Sequence, residues 1–140
     1  MRKLKNAAHV YMVLGLVSGI FYREFTKYMH FTGKTPMSLV HGHLLTLGMV
    51  GFLLVLALDK QFQLSELKQF PYFFWFYNAG IVITVGMMEV RGIATVIGHE
   101  SPEGLSWVAG AGHLLLLVGL IQFFTLLGKR LGESPAPPKA

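Results

Sequence analysis

The chain has 140 residues, 53% of them hydrophobic and only 14% charged, with a mean hydropathy of +0.52. A soluble domain is roughly 45–50% apolar and about 25% charged, so this composition excludes an ordinary water-soluble globule. Cysteine is absent, which excludes disulfides, thiolate metal sites, c-type haem attachment and iron–sulfur clusters together. The net charge of +5 flanks apolar segments, as membrane topology requires, and no basic run is interleaved with aromatics as a nucleic-acid face would need.

A membrane-spanning helix needs about 20 apolar residues, and four segments qualify. The first runs from Asn6 to Tyr28 behind the basic start Met1-Arg2-Lys3-Leu4-Lys5. No small-residue cleavage site precedes Tyr22-Arg23-Glu24, so this segment reads as an anchor rather than a cleaved signal. The second, Met37 to Leu58, carries His41, His43 and Thr46 as its chief polar side chains. The third runs from Pro71 to about Gly98 and carries Glu89 and Arg91; Pro71 suits a first helical turn. The fourth, Leu105 to Gly128, carries His113 and Gln122. Gly33-Lys34-Thr35-Pro36 and Gly98-His99-Glu100-Ser101-Pro102 read as loops. The expected fold class is therefore all-α, an integral-membrane four-helix bundle in a single domain over 1–131, with a disordered tail over 132–140.

Orientation follows from Lys and Arg. Both termini and the middle loop share one side, which holds Arg2, Lys3, Lys5, Lys60, Lys68, Lys129, Arg130 and Lys139. The opposite loops hold Arg23, Lys27 and Lys34, with Arg91 nearby. Positive charge stays inside, so both termini are expected in the cytoplasm.

Depth then groups the polar residues. At about 1.5 Å per residue, His41 and His43 lie roughly 6 and 9 Å in from the outer end of the second span, and His113 roughly 12 Å in from that of the fourth. Glu89 and Arg91 lie roughly 10–14 Å from the outer end of the third. Arg23 and Glu24 sit in the outer part of the first. All four spans thus contribute to one outer-leaflet layer, and the inner halves contribute almost nothing. An ionisable side chain in such a segment marks function by default, and three imidazoles in one layer suit a haem iron or a transition metal.

His41 and His43 are two apart, about 200° around the helix, so they point to nearly opposite sides. One is expected inward and the other toward a neighbouring subunit or second partner. Gly48 lies two turns beyond His41, and Gly112 adjoins His113; missing side chains there leave room for a flat ligand or serve close helix packing. Glu89 with Arg23, and Arg91 with Glu24 or a haem propionate, are the expected ion pairs. His9, His30 and His99 read as solvated. Met87-Met88 and the run Tyr72–Tyr77 read as packing and interfacial belt.

The stretch Val40-His41-Gly42-His43-Leu44-Leu45-Thr46-Leu47-Gly48, with Ala111-Gly112-His113-Leu114, resembles a family of small four-helix bacterial membrane proteins of unknown function, over nearly the whole chain. Over about one helix, His-x-His-Leu with a downstream glycine also resembles the haem-ligand helices of the haem–copper oxidase catalytic subunit, and is similar to the nitric-oxide-response membrane proteins related to it. That subunit has twelve helices in three pseudo-equivalent arcs, with its metal-ligand histidines largely on the second helix of each arc toward the outer leaflet. The resemblance implies a homotrimer of this chain that rebuilds twelve helices with threefold symmetry. It implies His41 and His43 as axial ligands of haem b, shared between neighbouring subunits. His113 has no clear counterpart there; it pairs with His43 across one haem or binds a second metal. The copper-site His-His pair and the crosslinked tyrosine have no counterpart, so oxygen reduction is not expected.

The leading expectation is a haem-binding, multi-pass protein of the bacterial cytoplasmic membrane. It would carry electrons or bind a diatomic gas, meeting a redox partner or gas ligand, with Arg23 and Arg91 on the propionates. The alternatives are a copper or zinc transporter or metallochaperone, against which no polar route through the inner halves is visible, and a cofactor-free assembly subunit of a larger complex.

Overall fold

Four helices run antiparallel in sequence: α1 (Arg2–Tyr28), α2 (Met37–Phe62), α3 (Phe70–Val96) and α4 (Gly104–Gly132). All four are long and apolar enough to cross a membrane. The computed structural model describes residues 1–99 and 104–132; the tail expected over 132–140 falls outside them except for Gly132, as does most of the loop before α4. The first, second and fourth spans expected from hydropathy sit inside these helices, and the third, expected to about Gly98, ends two residues earlier at Val96. The extra length, Arg2–Lys5 before the first expected span, Asp59–Phe62 after the second and Lys129–Gly132 after the fourth, is largely charged or polar helix that hydropathy does not see.

Local chemistry sets the ends. α1 stops where His30 takes a positive φ of 51°, and α3 where Gly98 does at 75°, the left-handed stop that glycine tolerates best. α2 starts on Thr35, whose hydroxyl accepts the Met37 N–H (3.4 Å) and donates to the Gly92 carbonyl of α3 (3.0 Å). It ends on Gln63, also left-handed, and a 3-10 turn at Leu64–Glu66 leads into α3. Within α2, Leu44–Val50 is wound as π-helix.

α1 packs along α2, α2 against α3, and α3 along most of α4, while α4 also touches the terminal-end part of α2. Among the described residues, α1 and α4 do not pack on each other, nor does the outer half of α2 pack on α4. The helices thus form an open row rather than a closed square. The densest packing lies at the end that carries both termini. Phe52 is fully buried, with Tyr11, Phe74 and Tyr77 around it at ring-centre distances of 5.8, 5.6 and 5.4 Å. Phe73 meets Phe123 at 5.3 Å. His41, His43 and His113 lie toward the opposite end.

Candidate functional site

Close approaches between helices fix the height of each polar group. Across α2 and α3, Met37 meets Gly92 and Tyr77 meets Gly51; across α3 and α4, Thr84 meets Gly112 and Tyr77 meets Gly119. Counting along the helices from these contacts, His43 stands level with Gly86 and His113 with Ile83, about 4.5 Å apart along the helix direction. His41 stands level with Met88, about 7.5 Å from His113. Gly19 meets His41 across α1 and α2, so Arg23, one turn on, is level with Met37. Arg23 and Arg91 therefore share one height, about 8 Å outward of His43.

The imidazoles do not converge within one chain. His41 packs against Gly19 of α1, with Nδ1 buried and without a hydrogen-bond partner. His43 points elsewhere. It lines a groove of about 290 Å³ with Gly42, Thr46 and Leu47, all from α2 itself. His113 is exposed on α4. Among the described residues, no group of three or more His, Cys, Asp or Glu is close enough to hold a metal ion.

His43 and His113 share one geometry. Each ring donates from Nδ1 to the carbonyl four residues earlier, Leu39 and Ala109, both at 2.9 Å. That bond selects the tautomer with the proton on Nδ1, orients the ring and leaves Nε2 as a free lone pair. Gly42 and Gly110, beside these rings, have open space where a Cβ would stand.

Gly48 and Gly112 are different. The ring of Tyr11 fills the space at Gly48, and Thr84 lies 2.6 Å from a Cβ at Gly112. These two glycines, expected beside a flat ligand, let neighbouring helices touch instead. The expected ion pairs also rearrange. Arg23 reaches its neighbour Glu24 at 3.5 Å on an exposed surface, and neither Glu89 nor Arg91 has an ion pair among the described residues. Glu89 instead lines a cavity of about 370 Å³ between α1 and α3, walled by apolar side chains including Leu14, Val17, Val82 and Val85.

The half of the molecule toward the termini is not free of polar groups, contrary to the hydropathy reading. Tyr11 donates to Asn78 Oδ1 (2.8 Å) and Tyr77 to the Leu47 carbonyl (3.1 Å). Asp59 is fully buried at the end of α2, accepts the Ser65 N–H (2.6 Å) and lies 3.7 Å from the Met1 amine. The available signal was an acidic residue directly after the apolar run that ends at Leu58, a type of side chain that readily caps the turn that follows.

The fold and these intramembrane polar groups define a four-helix protein of membrane-spanning type. A family model described as protein of unknown function (DUF2871) matches residues 1–130, and the chain belongs to that family. No curated protein and no solved structure matches it.

Proposed function

We propose that the protein binds haem b in the membrane through histidine, for electron transfer or for binding a diatomic gas, and that the haem sits between copies of the chain. The observation that carries this reading is the matched pair His43 and His113. His113 is exposed and His43 half-buried inside membrane-length helices, both are pinned by Nδ1, and both present a free Nε2 in nearly one layer. An imidazole left facing acyl chains is costly, and a metal-ligating histidine characteristically donates its other ring N–H to a carbonyl. Bound haem would supply a one-electron couple and, with one axial position open, a site for a gas ligand.

This chain's own residues account for the rest. Gly42 and Gly110 leave the flat space that a macrocycle needs beside the two rings. Arg23 and Arg91, at one height outward of His43, suit a pair of propionates. His41, turned toward α1, is the reserve ligand. Since the outer half of α2 does not pack on α4, a second copy completes the coordination. Repeating one head-to-tail contact closes a ring, and three copies give twelve helices, as in the haem–copper oxidase catalytic subunit that the His-x-His helix resembles. The excess of Lys and Arg at the end that carries both termini supports a cytoplasmic location for them in a bacterial inner-membrane protein.

The test is the absorption spectrum of protein purified from haem-replete cells. A Soret band is expected, shifting on reduction, and His43→Ala and His113→Ala should each remove most of it while leaving the helical circular dichroism unchanged. Colourless protein that takes up no added hemin overturns the proposal. Copper or zinc without porphyrin in elemental analysis would assign the same imidazoles to a metal ion instead.

A further inference from the structure

The cavity between α1 and α3 has a polar outer end and an apolar interior. It holds about 370 Å³, within the range of small-molecule sites, about 300–1,000 Å³. Tyr11 closes its inner end, and Glu89 stands at its outer end, roughly 13 Å away along the helices. Between them Val40 and Leu44 of α2, both buried, form the floor, and Leu14, Val17 and Val82, all exposed, form the rim. The rim opens sideways, toward acyl chains. At the outer end, Glu89 makes no ion pair and no hydrogen bond among the described residues. Phe21, two residues beyond the Gly19 that meets His41, lies within about 1.5 Å of its height. Gly86, one turn inward of Glu89, presents bare backbone, with nothing within 4 Å of an added Cβ. The Ser18 hydroxyl also lines the cavity; it donates to the Gly15 carbonyl (2.9 Å) and keeps its lone pairs.

These features select a ligand. Glu89 lies seven residues inside the end of α3 at Val96, about 10 Å deep. Phospholipid headgroups stay outside the hydrocarbon core, and a charged head would be costly at that depth, so the polar end of the ligand is neutral. A carbonyl oxygen of the Glu89 carboxyl accepts a hydrogen bond in either protonation state, and so does the Ser18 oxygen. The polar end is therefore a donor. A slot between an aromatic ring and bare backbone suits a flat ring, and the aliphatic walls below it suit a hydrocarbon tail. We propose that this cavity binds a hydroquinone with an apolar tail. One hydroxyl donates to Glu89, the ring lies beside Phe21, and the tail runs inward toward Tyr11. The corresponding quinone offers only acceptors and matches the site less well. No histidine lines the cavity, and the binding does not rest on haem.

Native mass spectrometry of the full chain, purified in detergent and kept free of oxygen, tests it. The probe is decylubiquinol, compared at equal concentration with its di-O-methyl ether, with decylubiquinone and with dioleoylphosphatidylcholine. Decylubiquinol should be retained as one molecule per chain. The ether and the quinone, which keep ring and tail but have no O–H, should each be retained about fivefold less, the effect of one hydrogen bond. Glu89→Leu should lower decylubiquinol retention by about the same factor, and Glu89→Gln, which keeps a carbonyl acceptor, should preserve most of it. Gly86→Val should abolish retention with the circular dichroism unchanged, because its Cβ meets no atom of the fold and its methyls enter the cavity. Gly128→Val, equally unobstructed but near the end of α4, should change nothing. Equal retention of the hydroquinone, the ether and the quinone overturns the site. So does retention that survives Gly86→Val or Glu89→Leu, or displacement of the hydroquinone by the phosphatidylcholine, which would assign the cavity to an acyl chain.

Discussion

Glycine does two jobs in this molecule, and neighbouring atoms decide which. At Gly112 an added Cβ would lie 2.6 Å from Thr84 Oγ1 and 2.9 Å from the Thr84 backbone nitrogen. Backbone cannot yield there, so Gly112→Val should push α4 off α3 and lower unfolding stability in detergent by about 1–3 kcal/mol, the usual range for overpacking. At Gly110, two residues away, nothing lies within 4 Å, and Gly110→Ala should stay within about 0.5 kcal/mol, as surface substitutions do. Thermal unfolding followed by circular dichroism checks both, and equal destabilisation would show that the α3–α4 contact is misplaced. The histidines were legible in the sequence as residue types out of place in lipid. Their surroundings were not. Two residues of spacing separate His41 from His43, but only the position of α1 decides that His41 is the one covered.

At the scale of the element, α2 is the informative helix. Its buried residues are Met37, Val40, Leu44, Gly48, Phe52, Val55 and Asp59. The steps of four from Val40 to Phe52 are too long for one stripe of a straight α-helix, whose turn is 3.6 residues. Winding Leu44–Val50 as π-helix keeps them on one face. It also opens the ladder, so that the Leu47 carbonyl accepts the Tyr77 hydroxyl, and insertions of this kind are frequent at functional sites. Tyr77→Phe should therefore lower stability by about 0.5–1.5 kcal/mol, the range for a hydrogen bond between membrane helices. Equilibrium unfolding in mixed micelles measures it, and an unchanged midpoint would mean that the π segment needs no support from α3. Hydropathy located this helix to within a few residues but is blind to winding, because a π segment and an α segment have the same composition.

At the scale of the whole molecule, the open row leaves long apolar faces uncovered. Val10, Val17 and Ile20 on α1, Leu53 and Leu54 on α2, and Leu114, Leu117 and Phe124 on α4 are all exposed. Lipid satisfies such faces, so exposure alone does not call for a partner; the proposed one rests on the exposed imidazole of His113 and the half-buried one of His43. Light scattering of the detergent-purified protein should give the mass of three chains after subtraction of detergent. Co-expression of His43→Ala with His113→Ala chains should restore part of the Soret absorbance that either variant alone has lost, because some mixed interfaces regain both rings. A monomer with a full Soret band, or no restoration in the mixture, would place the ligands within one chain.

Length, apolar composition and the spacing of charged loops were enough to establish four membrane-length helices and to mark the residues that do not belong in lipid. Each of these is a property of a single segment measured against the thickness of a bilayer, and needs no neighbour. Which side of each helix is covered was decided only by tertiary packing. Tyr11 at Gly48 and Thr84 at Gly112 close two spaces that the sequence left open, Arg23 turns to Glu24, and Asp59 and Gln122 acquire their surroundings. A helix in lipid lacks the polar-versus-apolar contrast that betrays its buried face in water, so its rotation is set by contacts with other helices rather than by the pattern along its own chain.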